Sequence, residues 1–324
     1  MRRAPGCYTI CLILFGMMPY LPNAQAGLER GLKLNVDGIE RSYDLYVPDQ
    51  KKQLKRPLVV LYHGHFGSSD VMTGVNRNKA PYKLWLKLAE QNNFLVAIPN
   101  GEKGSDDRRG WNDCRADTTT NPETDDVKFT LKLIETIDQT YPVDQSRIYA
   151  TGASNGGNMV IRLAMEVPEK FAAVAAIIAS NPAQTECIEK RKPISVLFMN
   201  GTDDPLLPYQ GGQVGKDRHE RGTVRSTWES VNYWVQVDGT DKTAQLYRYP
   251  DNEQTDNSTV YRYTYNNGTN GTEVVLYEIV HGGHTSPSQA ERYRLMYRWF
   301  VGNQNHDIEM ADEVWAFFKD KAKN

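Results

Sequence analysis

The chain has 324 residues, of which 40% are hydrophobic and 24% charged, and its formal net charge is −2. This ordinary globular balance excludes collagen-like repeats, coiled coil and overall disorder. Lys and Arg are scattered rather than clustered, so no basic footprint for a phosphate backbone exists and nucleic acid is not expected as a partner. The length suits one large domain or two modest ones, and a single domain is expected.

Met1-Arg2-Arg3, a mostly apolar run over residues 7–21 and Ala24-Gln25-Ala26 follow the basic, apolar and small-residue order of a secretory signal, with cleavage after Ala26. The run is short of the roughly 20 apolar residues a bilayer requires, and Pro19 and Pro22 end it. A signal peptide over 1–26, one domain over 27–324 and a secreted protein, extracellular or periplasmic, with no membrane in its mature form are expected. Cys7 and Cys11 fall in the leader, which leaves Cys114 and Cys187. An even pair in an oxidising compartment invites a disulfide; two buried thiols are the alternative.

Alternation over 32–48 around Val36-Asp37-Gly38 predicts an opening hairpin. Residues 57–62 form a continuous apolar run ended by His63-Gly64, the pattern of a strand buried on both faces. Helical periodicity over 82–89, a strand over 94–98, a helix over 127–137, a strand over 147–150 and a helix over 158–165 follow. Further strands are predicted over 171–179, 194–199 and 273–280, and a last helix over 314–319. Strands alternating with helices predict an α/β fold with a mostly parallel sheet of roughly eight strands flanked by helices. The span 211–270 breaks the rhythm and is read as a lid-like excursion, with a helical stretch over 224–235, plus a hairpin. Asn257, Asn267 and Asn270 begin Asn-x-Ser/Thr sequons, but Asn-Gly pairs also favour tight turns, and the turn reading is preferred.

The chemistry centres on Gly152-Ala153-Ser154-Asn155-Gly156, a Gly-x-Ser-x-Gly motif between a predicted strand and a predicted helix. Such a serine sits on a sharp turn that presents its hydroxyl above the sheet, and the glycines allow strand and helix to approach without Cβ clashes. A serine hydroxyl needs an imidazole to take its proton and a carboxylate to hold the imidazole. Asn200-Gly201-Thr202-Asp203-Asp204-Pro205 offers two carboxylates after one predicted strand, and His281-Gly282-Gly283-His284-Thr285 two histidines after another. Spacing alone does not choose within either pair. The oxyanion donors in such a site are the amide after the nucleophile, Asn155, and one from the loop after the third strand, read as His65 with Phe66 as the next candidate. Trp111 in Gly110-Trp111-Asn112-Asp113-Cys114-Arg115 either lines an acyl or sugar subsite or packs beneath the rim.

The His63-Gly64 turn, the Gly110 to Arg115 segment, the Ser154 elbow, Gly201-Thr202-Asp203-Asp204-Pro205 and Gly283-His284-Thr285 together resemble the secreted polyhydroxybutyrate depolymerase-like esterases, a family that overlaps feruloyl and acetylxylan esterases. The resemblance spans residues 34–318 and implies an α/β-hydrolase fold, a serine esterase and an ester substrate, either a polyester or an ester linked to polysaccharide. In the family's pattern the acid stands directly before the proline and the base directly follows the glycine pair, which implies a Ser154, Asp204, His284 triad. The chain departs from the family in having Ser286-Pro287 where a Trp-Pro pair is frequent, and Asn200-Gly201-Thr202 where His-Gly-Thr is frequent. Both departures bear on substrate preference.

No cofactor is expected. His63-x-His65 and His281-x-x-His284 could form a metal site, but the acid expected two residues after the first pair is replaced by Gly67, so no metal is expected either. A serine peptidase or thioesterase would use the same triad, and a non-catalytic binding protein could share the fold.

Overall fold

A computed structural model describes residues 1, 27–49, 55–75, 81–215 and 220–323; the expected signal peptide lies outside the described residues. The first hairpin pairs β1 (Gly27–Val36) with β2 (Ile39–Val47) across Asp37 and Gly38, both at positive φ. Two successive residues in that region build the tight turn whose twist matches the flanking strands.

Among the described residues the sheet has ten strands rather than roughly eight. In chain order the others are β3 (Arg56–Tyr62), β4 (Leu95–Pro99), β5 (Val143–Ala153), β6 (Ala173–Ile177), β7 (Ser195–Gly201), β8 (Gln245–Arg248), β9 (Thr259–Tyr265) and β10 (Val274–Val280). Their spatial order is β1-β2-β4-β3-β5-β6-β7-β10-β9-β8. The six central strands from β4 to β10 run parallel, and antiparallel pairs close both edges.

Helices cover both faces, which explains why the central strands read as unbroken apolar runs. On one face α2 (Asp126–Thr140), α3 (Asn155–Glu166) and α4 (Thr227–Asp238) bury Phe129, Leu133, Met159, Leu163, Val231 and Trp234 against Leu58, Val60, Ile148, Val174, Val196 and Leu276. On the other, α1 (Leu84–Asn92) and α6 (Met310–Phe318) bury Trp85, Leu88, Val314 and Phe318 against Val59, Val96, Tyr149, Ala175, Leu197 and Val275. Alternate residues of each strand therefore feed opposite layers. A further helix, α5 (Leu295–Val301), has no counterpart in the expected elements.

The 211–270 span contributes Arg221 to the Ser154 cavity and both a helix and a hairpin to the main layers. Its helix α4 is part of the layer against the sheet, started by a capping box between Ser226 and Glu229, and its hairpin β8–β9 extends the sheet beside β10. The missed signals are short edge strands: β8 is exposed along its whole length, so its sequence lacks the apolar run of a central strand. Asn257, Asn267 and Asn270 all hold positive φ, as turn asparagines do.

Candidate active site

The turn between β5 and α3 carries Ser154 at φ 56° and ψ −127°, a conformation that costs a non-glycine residue about 1–3 kcal/mol. Close packing holds it there. A Cβ on Gly152 would lie 2.6 Å from the Gly156 carbonyl oxygen, and one on Gly156 would lie 2.4 Å from the His63 oxygen. The Ser154 amide donates to the Ile177 carbonyl at 2.9 Å, and its carbonyl accepts from Asn158 at 2.9 Å. The serine is thus pinned at the C-terminal end of the parallel sheet, where open α/β sheets place ligands.

Asp204 and His284 come from the loops after the neighbouring strands β7 and β10. The His284 Nδ1 lies 2.6 Å from the Asp204 Oδ2, with side-chain exposures of 9% and 2%. The competing pair, His281 Nδ1 and Asp203 Oδ2, is 3.1 Å apart and exposed by 65% and 59%. The Asp204 Oδ1 accepts the amides of Leu206 and Leu207, both at 2.8 Å, which fixes the carboxylate with Oδ2 toward His284. His284 is fixed from behind, its amide donating to the Val301 carbonyl at 2.5 Å.

Ser154 and His284 line one cavity of about 300 Å³, together with His65, Phe66, Tyr82, Leu206, Arg221, Tyr293, Tyr297 and Phe300 among others. Its walls are aromatic and apolar, and among the described residues Arg221 is its only Lys, Arg, Asp or Glu side chain. A larger open depression of about 580 Å³ along Gly211, Arg225, Glu229 and Tyr233 holds no serine–imidazole pair of this kind among the described residues.

The first amides of a helix have no partner within it, which leaves that of Asn155 available to a ligand. The Phe66 amide is engaged with the Arg109 carbonyl at 2.9 Å, whereas no acceptor for the His65 amide is found among the described residues. The His65 ring hydrogen-bonds Asp106 at 2.8 Å, and burial, reinforced by Arg221, holds its pKa below the ordinary value despite that partner.

Trp111 does not line the cavity. It is fully buried, edge-on to Tyr62 with ring centroids 5.0 Å apart, and its Nε1 donates to the His63 carbonyl at 2.7 Å. The reading of Trp111 as a substrate-binding residue is therefore corrected: the indole supports the loop that carries His65. The whole segment is a brace beneath the serine. The Asn155 side chain accepts from the Trp111 amide at 2.7 Å and donates to the Trp111 carbonyl at 3.0 Å and to Asp113 at 2.7 Å. Asp126, ion-paired with buried Arg41 at 2.7 Å, accepts the Asn112 amide at 2.8 Å. Cys114 and Cys187 are joined by a disulfide with their Cα atoms 5.3 Å apart.

His63 is structural as well: its Nε2 accepts from the Gly101 amide at 2.9 Å while Nδ1 donates to the Gly64 carbonyl at 2.8 Å. Among the described residues the one cluster with metal-binding dimensions is Cys114, Glu166 and Cys187, and its two sulfurs form the disulfide. The aromatic walls Tyr82, Tyr293, Tyr297 and Phe300 were not singled out from sequence, since nothing in their spacing distinguishes them from core aromatics.

The family model Esterase, described as “Putative esterase”, matches residues 38–320. “Putative esterase NocK” of Nocardia uniformis subsp. tsuyamanensis is 30% identical over 296 residues, which cover 87% of this chain and 80% of that protein. “Feruloyl esterase D” of Neurospora crassa is 25% identical over 300 residues, covering 87% and 90%. Among solved structures, an acetyl xylan esterase from Aspergillus awamori matches with a TM-score of 0.59 at 15% identity, over 91% of this chain and all but 1% of that one, 99%. A thermostable esterase matches with a TM-score of 0.53 at 20% identity over 90% of this chain, which spans 63% of that longer chain.

The parallel sheet with a serine at its strand-to-helix turn and these structural likenesses define an α/β-hydrolase fold. The chain belongs to the Esterase family and is a carboxylic ester hydrolase. Among the described residues no helix is long and apolar enough to cross a membrane.

Proposed function

We propose that this chain is an exported serine esterase that releases aromatic acids of the feruloyl type from polysaccharide-linked esters through Ser154, His284 and Asp204. The observation that carries the mechanism is the buried 2.6 Å contact between His284 and Asp204 in the loop beside the strained Ser154. Asp204 holds the proton on His284 Nδ1, leaving Nε2 free to take the Ser154 proton. The serine oxygen attacks the ester carbonyl, the amides of Asn155 and His65 receive the oxyanion, and the proton passes from His284 to the departing alcohol. Water, deprotonated by the same imidazole, then releases the acid.

The acyl preference is supported by the aromatic walls from Tyr82, Tyr293, Tyr297 and Phe300, which suit a planar ring, and by similarity to proteins named feruloyl esterases. Export is supported by the order of residues 1–26 and by a disulfide, a bond that persists in oxidising compartments. The test is hydrolysis of p-nitrophenyl acetate, methyl ferulate, acetylated xylan and hydroxybutyrate oligomers by wild type and Ser154→Ala. Wild type is expected to favour methyl ferulate and the variant to be inactive but folded. Faster turnover of hydroxybutyrate oligomers moves the substrate to polyesters, and an active Ser154→Ala removes the mechanism.

A further inference from the structure

Helix α5 reads Leu-Met-Tyr-Arg-Trp-Phe-Val and is apolar on both sides. Tyr297, Phe300 and Val301 line the Ser154 cavity. Leu295, Met296, Trp299 and Phe300 face solvent with exposures of 64%, 80%, 84% and 74%. Positions four apart are neighbours on a helix, so Leu295 lies beside Trp299 and Met296 beside Phe300, and the four form one strip. Contiguous exposed apolar surface of this kind marks an interaction site, whereas singly exposed residues do not. Elsewhere among the described residues the large exposed apolar side chains are mostly single, such as Val75 and Ile188, or paired on the edge strand β8, as Leu246 and Tyr247 are.

The occupant follows from continuity and chemistry. Phe300 belongs to both the cavity wall and the strip, so whatever extends from a seated ester past Phe300 lies along α5. The strip offers rings in Trp299 and Phe300, a thioether in Met296 that favours ring edges, and next to Leu295 the exposed Arg294, whose guanidinium group can stack on aromatic faces. It carries no carboxylate or amide side chain with which to match the hydroxyls of a sugar. We propose that the outer face of α5 docks the enzyme on a phenolic, aromatic polymer joined to the aromatic-acid end of the polysaccharide-linked ester cleaved in the cavity. This rests on the reading of the Ser154 cavity as the catalytic site.

The test measures adsorption to particles of polymerised coniferyl alcohol, to microcrystalline cellulose and to phosphatidylglycerol vesicles, for wild type, Met296→Ser/Trp299→Ser and Leu295→Ser. Wild type should prefer the phenolic particles by about tenfold or more, and the double variant should lose about tenfold in adsorption, the scale expected from removing one to two apolar contacts. Leu295→Ser, made independently, should lose several-fold. Hydrolysis of soluble p-nitrophenyl acetate should be retained by both variants, because none of the three residues lines the cavity. Equal adsorption of wild type and variants overturns the proposal, as does a wild-type preference for vesicles or cellulose. So does a wild-type dimer in sedimentation velocity that the double variant abolishes, since the occupant is then a second copy. Ser154→Ala should adsorb as wild type does; failure of wild type to cleave any soluble ester falls on the catalytic reading, which the adsorption arms do not measure.

Discussion

Replacing Asp204 by Asn separates the two acid–histidine pairs through the chemistry of one atom. In wild type Asp204 Oδ1 accepts two amides, from Leu206 and Leu207, and Oδ2 faces His284 Nδ1 at 2.6 Å. An asparagine must keep its carbonyl oxygen toward the two amides, because turning its NH2 toward them would face donors with donors. Its NH2 then points at Nδ1 and forces the proton onto Nε2, the nitrogen that has to receive the serine proton. The wrong tautomer of this kind costs about 10⁴ in kcat in the template case of such a triad. Asp203→Asn changes a 3.1 Å pair whose members are 59% and 65% exposed, so less than about twofold is expected, in line with the small worth of exposed pairs. The assay is steady-state hydrolysis of methyl ferulate and p-nitrophenyl acetate, with thermal melts to show that both variants fold. A larger loss in Asp203→Asn, or an unaffected Asp204→Asn, refutes the reasoning.

Asn155→Ala removes three hydrogen bonds that tie the Trp111 segment to the serine turn; about 3 kcal/mol of stability should be lost in urea unfolding, along with activity, from the partners left unsatisfied. Asp238 is fully buried, and burial pushes its pKa from 3.8 to about 8, with an opposing bond from the Ile194 amide. Its folded-state pKa is raised, so the stability it contributes is complete below pH 3.8 and is lost as pH rises through about 8. Unfolding free energy should therefore fall by about 4 kcal/mol between pH 5 and 8, and Asp238→Asn should remove most of that slope. Cys114→Ser with Cys187→Ser opens a loop of sequence separation 73. A loss of about 4 kcal/mol is expected on the chain-entropy estimate, measured by urea unfolding beside wild type.

By itself the sequence determined whatever depends on neighbours along the chain. The apolar runs from 57 to 62 and from 194 to 199 report strands buried on both faces, and Gly152 to Gly156 report a turn too tight for Cβ atoms, because in each case the constraint acts within a few residues. The two-residue turn at Asp37 and Gly38 was legible for the same reason. Tertiary structure decided what depends on direction and distance. Asp203 and Asp204 are adjacent in one loop, yet one carboxylate points into the protein and the other to solvent, and only the packing of β7 against β10 fixes which. Trp111 has the composition of a substrate-facing residue, but hydrogen bonds to residues 44 and 48 positions away bury it. Cys114 and Cys187 meet across 73 positions because the braced loop and the segment after β6 converge, a distance no spacing encodes. The cavity walls come from α5 and from residues scattered between Gly64 and Val301, so the shape of the site is a property of the assembled sheet and its loops, and no single stretch of chain carries it.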